Sequence, residues 1–373
     1  MEFLGTTTQY VVPFLLILSV VVFVHEFGHY WVARRNGVRV ETFSIGFGPE
    51  LFGRNDRHGT RWKFSVIPLG GYVKMLGDAD ATSTTVDVRH VRDPESFPAK
   101  SVWQRMAIVF AGPAANFLFA IVVLAALFVF SGRPFTPPEV GAVQEDSPAA
   151  AAGLAPGDRV VAIDGDAIES FEQLQAIVRQ SPDRPLALTI ERAGQTVEVV
   201  LTPALSEITD RFGNTHRVGL IGISRAGVEF RQVDPLSAVL EAATETWRMV
   251  VGTLAALGEM IVGSRGTAEL GGPLRIAQMS GQIAADGIVP VLWFSAVLSI
   301  NLGLINLFPI PMLDGGHLVM YAIEAARGRP LTERAQEIAF RFGLAMVLTL
   351  MVFATWNDLV HLRIVEFFSS LVS

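Results

Sequence analysis

The chain has 373 residues, of which 50% are hydrophobic and 17% are charged, and its formal net charge is −7. It contains no cysteine, which excludes disulfides, thiolate metal ligands and a cysteine nucleophile, and it has no polybasic run, which argues against nucleic acid as a partner. The mean hydropathy of +0.42 indicates a membrane protein. Four apolar runs have the length of a membrane span, at 10–33, 106–130, 288–313 and 342–360.

The first apolar run contains a motif with metal-ligand spacing, His25-Glu26-Phe27-Gly28-His29. Residues four apart lie on one face of a helix, so His25 and His29 can bind one ion. Glu26 then lies beside the ion and can take a proton from water, as in the H-E-x-x-H motif of zinc peptidases. A carboxylate in mid-membrane costs about 2.5–3.5 kcal/mol on insertion scales, so its presence favours a functional role. No basic segment or cleavage site precedes the run, and we expect it to remain in the mature protein.

Residues 61–75 predict two short strands around a turn that contains Pro68, Gly70 and Gly71. An exposed hairpin of this kind has free edges that can pair with an extended peptide. A small hairpin with a purely structural role is the alternative, and the pattern alone does not decide between the two.

The segment that follows the second span predicts an α+β domain. It has strand patterns at 186–191 and 196–201 and a helix pattern at 172–179, and 218–223 can supply a last strand. The run SPAAAAGLAPGDRVVAIDG at 147–165 resembles the PDZ domains of bacterial proteases. That resemblance implies a groove for a peptide or a substrate ectodomain, with binding by strand addition.

An amphipathic helix is predicted at 236–262. Apolar residues recur there at helical spacing, while Glu241, Glu245, Arg248 and Glu259 interrupt the apolar run. We therefore expect a helix that lies on a surface, such as the membrane interface, and not a fifth span.

Asp314 is the candidate third metal ligand, because a catalytic zinc needs three protein ligands and one open position. It ends an apolar run in which Pro309 and Pro311 cannot continue a regular helix. Backbone groups freed in this way are tolerated at membrane depth only where they meet protein or a watery cavity. The run predicts a broken helix that brings a carboxylate to a buried polar site. His317 is the alternative ligand.

Basic residues predict the orientation in the membrane through the positive-inside rule. They cluster in three loops that we expect to be cytoplasmic, namely those with Arg34, Arg35 and Arg39, with Lys100 and Arg105, and with Arg327, Arg329, Arg334 and Arg341. The α+β domain and both termini are then on the other side.

These motifs together resemble the site-2 protease family of intramembrane zinc metalloproteases, in the branch of the bacterial regulator of sigma-E protease. The resemblance covers nearly the whole chain and rests on HEFGH (25–29), GFGP (46–49), PLGGYVKM (68–75), AGPAAN (111–116), LGGP (270–273) and NLFPIPMLDGG (306–316). The best-known members of the branch have two tandem PDZ domains, whereas this chain has one.

The resemblance implies a polytopic α-helical membrane protein with about four transmembrane helices, a re-entrant β-hairpin and an inserted α+β PDZ domain. It implies one Zn²⁺ ion held by His25, His29 and Asp314, with Glu26 as general base. Substrate-binding roles are implied for Asn301, Asn306, Pro309, Pro311, Gly70, Gly71 and Tyr72.

The implied activity is cleavage of transmembrane segments of membrane proteins, with anti-sigma factors or signal-peptide remnants as the substrate type. We expect a multi-pass protein of the bacterial inner membrane, with lipid around it, a periplasmic PDZ domain and the zinc site near the cytoplasmic side. The expected domains are 1–132 (zinc motif, hairpin and second span), 133–226 (PDZ), 227–287 (amphipathic helix and connector) and 288–373 (Asp314 motif and last span).

Two other function classes are weaker. A secondary transporter would show inverted repeats, and the His-Glu motif has no counterpart after residue 288. A non-catalytic PDZ scaffold would tolerate the loss of Glu26 or Asp314, and both are present.

Overall fold

The computed structural model describes residues 2–78, 93–209, 215–263 and 271–361. The helices are α1 (Glu2–Arg35), α2 (Val102–Phe130), α3 (Pro148–Ala151), α4 (Phe171–Arg179), α5 (Pro235–Ile261), α6 (Pro273–Ala285), α7 (Ile288–Asn306), α8 (Asp314–Arg327) and α9 (Glu333–His361). The strands are β1 (Val40–Asn55), β2 (Arg61–Met75), β3 (Arg133–Phe135), β4 (Val140–Val143), β5 (Arg159–Ile163), β6 (Asp166–Ala167), β7 (Leu186–Arg192), β8 (Gln195–Leu201), β9 (Ala204–Thr209), β10 (Thr215–Leu220), β11 (Ile223–Arg225) and β12 (Glu229–Arg231).

The chain divides into two compact units. The membrane unit contains Met1–Ala126, Val239–Leu254 and Ala268–Ser373. The inserted unit contains Leu127–Ala238 and Ala255–Thr267.

Four helices in the described part of the chain are long and apolar enough to cross a membrane. They are Gln9–Arg35, Val102–Phe130, Ile288–Asn306 and Arg334–Leu359, which confirms the predicted number of spans. The third helix ends at Asn306 and not at 313, because the two prolines that follow cannot continue it. A new helix, α8, begins at Asp314, as expected for a broken helix.

The predicted hairpin within 61–75 is wrong in its pairing. Those residues form one long strand, β2, whose partner is β1. Residues 42–45 of β1 pair with 61–64 on one side and with 71–74 on the other, and 50–55 pair with 61–65. The result is a bent sheet of four segments in the order 50–55, 61–65, 40–47 and 71–75. The alternation of apolar and polar side chains that would predict β1 from the sequence is interrupted, because Gly46 and Gly48, at φ +92° and +86°, bend the strand.

Small residues allow close packing of the helices in the membrane unit. A Cβ on Gly28 of α1 would lie 2.7 Å from Ala115 Cβ of α2, so these two helices meet through glycine and alanine. The buried Asp358 of α9 accepts hydrogen bonds from the backbone N–H groups of Gly272, Leu274 and Arg275, at 2.7, 3.0 and 3.2 Å. It therefore caps the N-terminus of α6 from another helix.

The helix predicted at 236–262 is confirmed as α5, while its position on a surface or at the membrane interface stays a prediction. Asp234 caps it by accepting hydrogen bonds from the backbone N–H groups of Leu236 and Ser237. Its large apolar side chains include Leu240 and Trp247, which are 65% and 68% exposed.

The inserted unit is built on an antiparallel sheet in the order β6-β5-β7-β8. Alternate residues of β7 point inward, and Leu186, Leu188 and Ile190 are fully buried in its core. Helix α4 begins at a capping box in which Ser170 and Gln173 bond reciprocally. The predicted strands at 186–191 and 196–201 and the helix at 172–179 are confirmed within one or two residues.

The predicted last strand at 218–223 is wrong, because it is two strands. Residues up to Leu220 belong to β10, which pairs with β9, while β11 begins at Ile223 and pairs with β4. Gly222 separates them at φ +78°, a conformation that favours glycine.

An ion pair between a buried carboxylate and a partly exposed arginine stabilises the inserted unit. The Asp158 carboxylate has a side-chain exposure of 1% and accepts from Arg192 Nη2 at 2.6 Å and from the Ala155 N–H at 2.8 Å. The Arg192 guanidinium holds the pKa of Asp158 below its usual range.

Candidate metal centre

The three predicted metal ligands converge in the membrane unit. His25 Nε2 lies 3.2 Å from His29 Nε2 and 3.1 Å from Asp314 Oδ2, and the third side of the triangle is 3.5 Å. Zinc bonds of about 2.0–2.1 Å at tetrahedral angles separate ligand atoms by roughly 3.3–3.4 Å. The triangle therefore has the size that one zinc ion requires.

The environment of Asp314 also fits a cation. Its Oδ2 atom is buried and has no hydrogen-bond partner among the described residues, and the two imidazole Nε2 atoms lie 3.1 and 3.5 Å from it. A buried carboxylate oxygen without a partner is costly unless a positive charge compensates it. Two imidazoles and one carboxylate are also a donor set that catalytic zinc accepts.

The loop between α7 and α8 places the Asp314 carboxylate. Met312 has φ +89°, a strained conformation for a residue with a side chain, directly before the helix that Asp314 begins. Side chains on Gly315 and Gly316 would overlap the carbonyl groups of this loop. The loop therefore folds back tightly on the start of α8.

The last span supports the same loop. A Cβ on Gly343 of α9 would lie 2.8 Å from Pro311 Cβ and would overlap the Pro311 carbonyl oxygen. The backbone of α9 thus packs directly against the residues that precede Asp314.

Helix α2 faces the two histidines and was missing from the predicted site. His29 Nδ1 donates to the carbonyl oxygen of Ile108 at 2.9 Å, which leaves Nε2 free to bind a metal. A Cβ on Gly112 would lie 2.5 Å from His29 Cε1 and 2.9 Å from His25 Cε1. Asn116 Nδ2 lies 3.2 Å from His25 Nδ1. The sequence signal was the AGPAAN motif, in which a polar residue follows Gly-Pro in an uncharged span.

Glu26 and the sheet edge lie beside the ligands. A cavity of about 690 Å³ is lined by all three ligands, Glu26, residues 69–73 and Asn306. A Cβ on Gly71 would lie 3.2 Å from Glu26 Cγ and 2.9 Å from Val22 Cγ1, so β2 passes directly over the helix next to Glu26. Residues 71–75 pair with β1 on one side only and form an edge among the described strands.

The predicted substrate-binding residues separate into two groups. Asn306, Gly70, Gly71 and Tyr72 line the cavity, and Asn306 Nδ2 lies 3.5 Å from His25 Nε2. Asn301 does not line it. Its Oδ1 accepts from Thr253 of α5 and its Nδ2 donates to the Val297 carbonyl, at 3.4 and 3.1 Å. Positions five apart on a helix face directions that differ by about 140°, so Asn301 and Asn306 face different neighbours.

Pro309 and Pro311 are also absent from the cavity lining. They end the third span and restrict the backbone of the loop that leads to Asp314. His317 lines the cavity but is not among the converging ligand atoms of the described residues. Burial lowers the pKa of the His317 imidazole.

A family model described as Peptidase family M50 matches residues 13–350. The chain belongs to peptidase family M50. It is 50% identical over 364 residues to a relative in Agrobacterium fabrum named as a zinc metalloprotease, with 95% of this chain and 97% of the relative covered. It is 34% identical to the regulator of sigma-E protease RseP of Salmonella typhimurium, with 92% and 97% covered. This M50 peptidase is therefore a zinc metalloprotease, and its resemblance to site-2 proteases is confirmed.

A solved structure of the PDZ domain of the SdrC-like protein from Listeria monocytogenes is similar to part of this M50 peptidase. The identity is 22%, the coverage is 24% of this chain and 88% of that chain, and the TM-score is 0.19.

Proposed function

We propose that this M50 peptidase hydrolyses peptide bonds within transmembrane segments of other membrane proteins. One observation supports this most strongly. The metal triad, Glu26 and the edge at 71–75 open onto the same cavity, in a unit made of membrane-length helices. The cavity thus combines a hydrolytic centre with an edge to which an extended peptide can pair.

The proposed chemistry assigns separate tasks to the residues. One Zn²⁺ ion, held by His25, His29 and Asp314, would activate water and polarise the peptide carbonyl. The Glu26 carboxylate takes the proton of the attacking water and delivers it to the leaving amine. The Asn306 amide, 3.5 Å from His25 Nε2, donates to the carbonyl oxygen as negative charge develops on it.

Substrate access is the second part of the proposal. A transmembrane helix holds its carbonyl groups in i to i+4 hydrogen bonds, so the cleavage site must unwind first. The unwound segment pairs with the edge at 71–75. Gly70 and Gly71, which carry no side chain, and Tyr72 line the cavity at this edge.

The remaining assignments follow from the positive-inside rule and from the similarity to RseP. The protein is a multi-pass protein of the bacterial inner membrane, with the zinc site near the cytoplasmic side and with the PDZ domain and both termini in the periplasm. The proposed domains are residues 1–132, 133–226, 227–287 and 288–373.

The proposed partners are a peptide or a substrate ectodomain, which the PDZ domain binds, and the transmembrane substrates, which are anti-sigma factors or signal-peptide remnants. Lipid covers exposed span residues such as Leu118 and Val352, which are 63% and 66% exposed.

The test is cleavage of a membrane-embedded reporter by Glu26→Gln in the full chain. The amide is nearly isosteric but is not a base, so cleavage should fall by at least 10²-fold, the low end for acid–base catalysis, while zinc content stays unchanged. Glu41→Gln is the matched control, since Glu41 pairs with Lys74 and does not line the cavity. Normal cleavage by Glu26→Gln would overturn the general-base assignment. Loss of cleavage by Glu41→Gln would show that the effect is not specific to the cavity.

A further inference from the structure

Asn116 of α2 is a polar side chain at a fully buried position, with an exposure of 0%. Its Nδ2 atom lies 3.2 Å from His25 Nδ1. Its Oδ1 atom is buried and has no hydrogen-bond partner in the part of the chain that the structure describes. One half of the amide thus contacts a metal ligand, while the other half is unsatisfied.

Metal binding decides which half of the amide can face His25. The imidazole contributes Nε2 to the triad, so Nε2 must present its lone pair and Nδ1 must hold the hydrogen. An N–H at Nδ1 requires an acceptor, and the amide nitrogen Nδ2 is only a donor. Rotation of the amide by 180° exchanges the two atoms and places Oδ1 where it accepts from Nδ1–H. That rotation removes the conflict of two donors.

The other histidine has the same arrangement already. His29 Nδ1 donates to the Ile108 carbonyl oxygen at 2.9 Å, about two α2 turns before the position of Asn116, which approaches His25. Acceptors of this kind fix the tautomer and the ring orientation of a ligating histidine and increase its basicity. Helix α2 would therefore supply one acceptor to each histidine, from the backbone for His29 and from a side chain for His25.

We infer that Asn116 is a positioning residue for the metal centre, which accepts a hydrogen bond from His25 Nδ1–H and holds Nε2 toward the ion. This inference rests on the proposed zinc site. It gives a chemical reason for a buried amide in residues 106–130, which contain no charged side chain.

The test measures zinc affinity of the full-length protein in detergent by competition with a chelator. Asn116→Leu keeps the volume but removes the acceptor, and we expect zinc affinity to fall 10–100-fold. Asn116→Asp has an acceptor oxygen at both positions of the group, so it should bind zinc within about threefold of the wild type or more tightly. Ser299→Ala is the matched control. The buried Ser299 hydroxyl donates to the Asn116 backbone carbonyl at 3.0 Å and does not approach His25, and its loss should leave zinc affinity unchanged.

The outcomes separate the hypotheses. Wild-type affinity in Asn116→Leu would overturn the inference. Equal weakness of Asn116→Asp and Asn116→Leu, with normal thermal unfolding of the Asp variant, would also overturn it, because the amide would then act by packing. If Asn116→Leu does not fold, the affinity of Asn116→Asp relative to the wild type still decides. Unchanged zinc content in His25→Ala would instead contradict the proposed zinc site itself.

Discussion

Gly112→Ala should remove the metal without unfolding the protein. The new methyl carbon would lie 2.5 Å from His29 Cε1 and 2.9 Å from His25 Cε1, and it would overlap His29 Nε2. Ordinary carbon contacts are about 3.5–4.0 Å, so the His29 ring must move by roughly 1 Å. Metal–ligand distances tolerate deviations of only about 0.2 Å. The substitution should therefore detach at least one ligand.

The energy of that loss can be compared with the gain in helix propensity. Zinc sites with four ligands contribute about 10–16 kcal/mol, so one ligand is worth roughly 3 kcal/mol, or about 100-fold in affinity. Alanine favours the helix over glycine by about 1 kcal/mol. We expect the zinc dissociation constant to rise about 100-fold or more, with little change in the thermal unfolding of the metal-free protein. Chelator competition and calorimetry on the purified chain measure the two quantities.

A matched control is available on α5. A Cβ on Gly252 meets no atom of the described residues within 4 Å, so Gly252→Ala should leave zinc binding unchanged. If Gly112→Ala binds zinc as tightly as Gly252→Ala does, α2 does not lie against the ligands as described, and the steric reasoning is refuted.

Three further perturbations test separate parts of the structure. Asp314→Asn should weaken zinc binding at least 10-fold and reduce cleavage, whereas full zinc content and turnover would point to another third ligand. Asp358→Ala removes the acceptor of three N–H groups at the α6 N-terminus and should destabilise the protein by about 1–2 kcal/mol. Thermal unfolding measures this loss, and an unchanged midpoint would contradict the cap. The lowered pKa of Asp158 stabilises the inserted unit above the unfolded pKa of about 3.9, and this stability is lost as the pH falls further. Proteolysis of the inserted unit should therefore accelerate in acid, and Asp158→Asn should flatten that pH dependence.

The sequence was most informative where a chemically unusual residue interrupts an apolar run. His25, His29 and Asp314 stand out because metal-ligating groups are costly within or next to a membrane span, and the two prolines before Asp314 indicate the helix break. The regular periods of β7 and α4 were equally readable, because alternate or every third to fourth side chains enter one core.

Contacts between distant positions could not be read from the sequence. Asn116 and His25 are separated by 91 residues, and Asp358 and Gly272 by 86. Helix and strand periodicity relates only residues that are close in sequence, so it predicts neither contact. The sheet was mispredicted for a related reason, since residues 40–47 of β1 lie between the two halves of β2, and the glycines of β1 obscure the strand pattern. Asn301 and Asn306 look equivalent in sequence, and only the rotation of the helix between them separates their neighbours.

The contact between Gly343 and Pro311 has a consequence for how the bilayer acts on this protein. The candidate span Arg334–Leu359 has little buried surface, so its tilt responds to the thickness of the surrounding hydrocarbon. Its backbone rests on the loop that ends at Asp314. A change of tilt would therefore be transmitted to the carboxylate through two prolines that flex little. We therefore expect peptide cleavage to depend on lipid chain length, and turnover in bilayers of different thickness would measure that dependence.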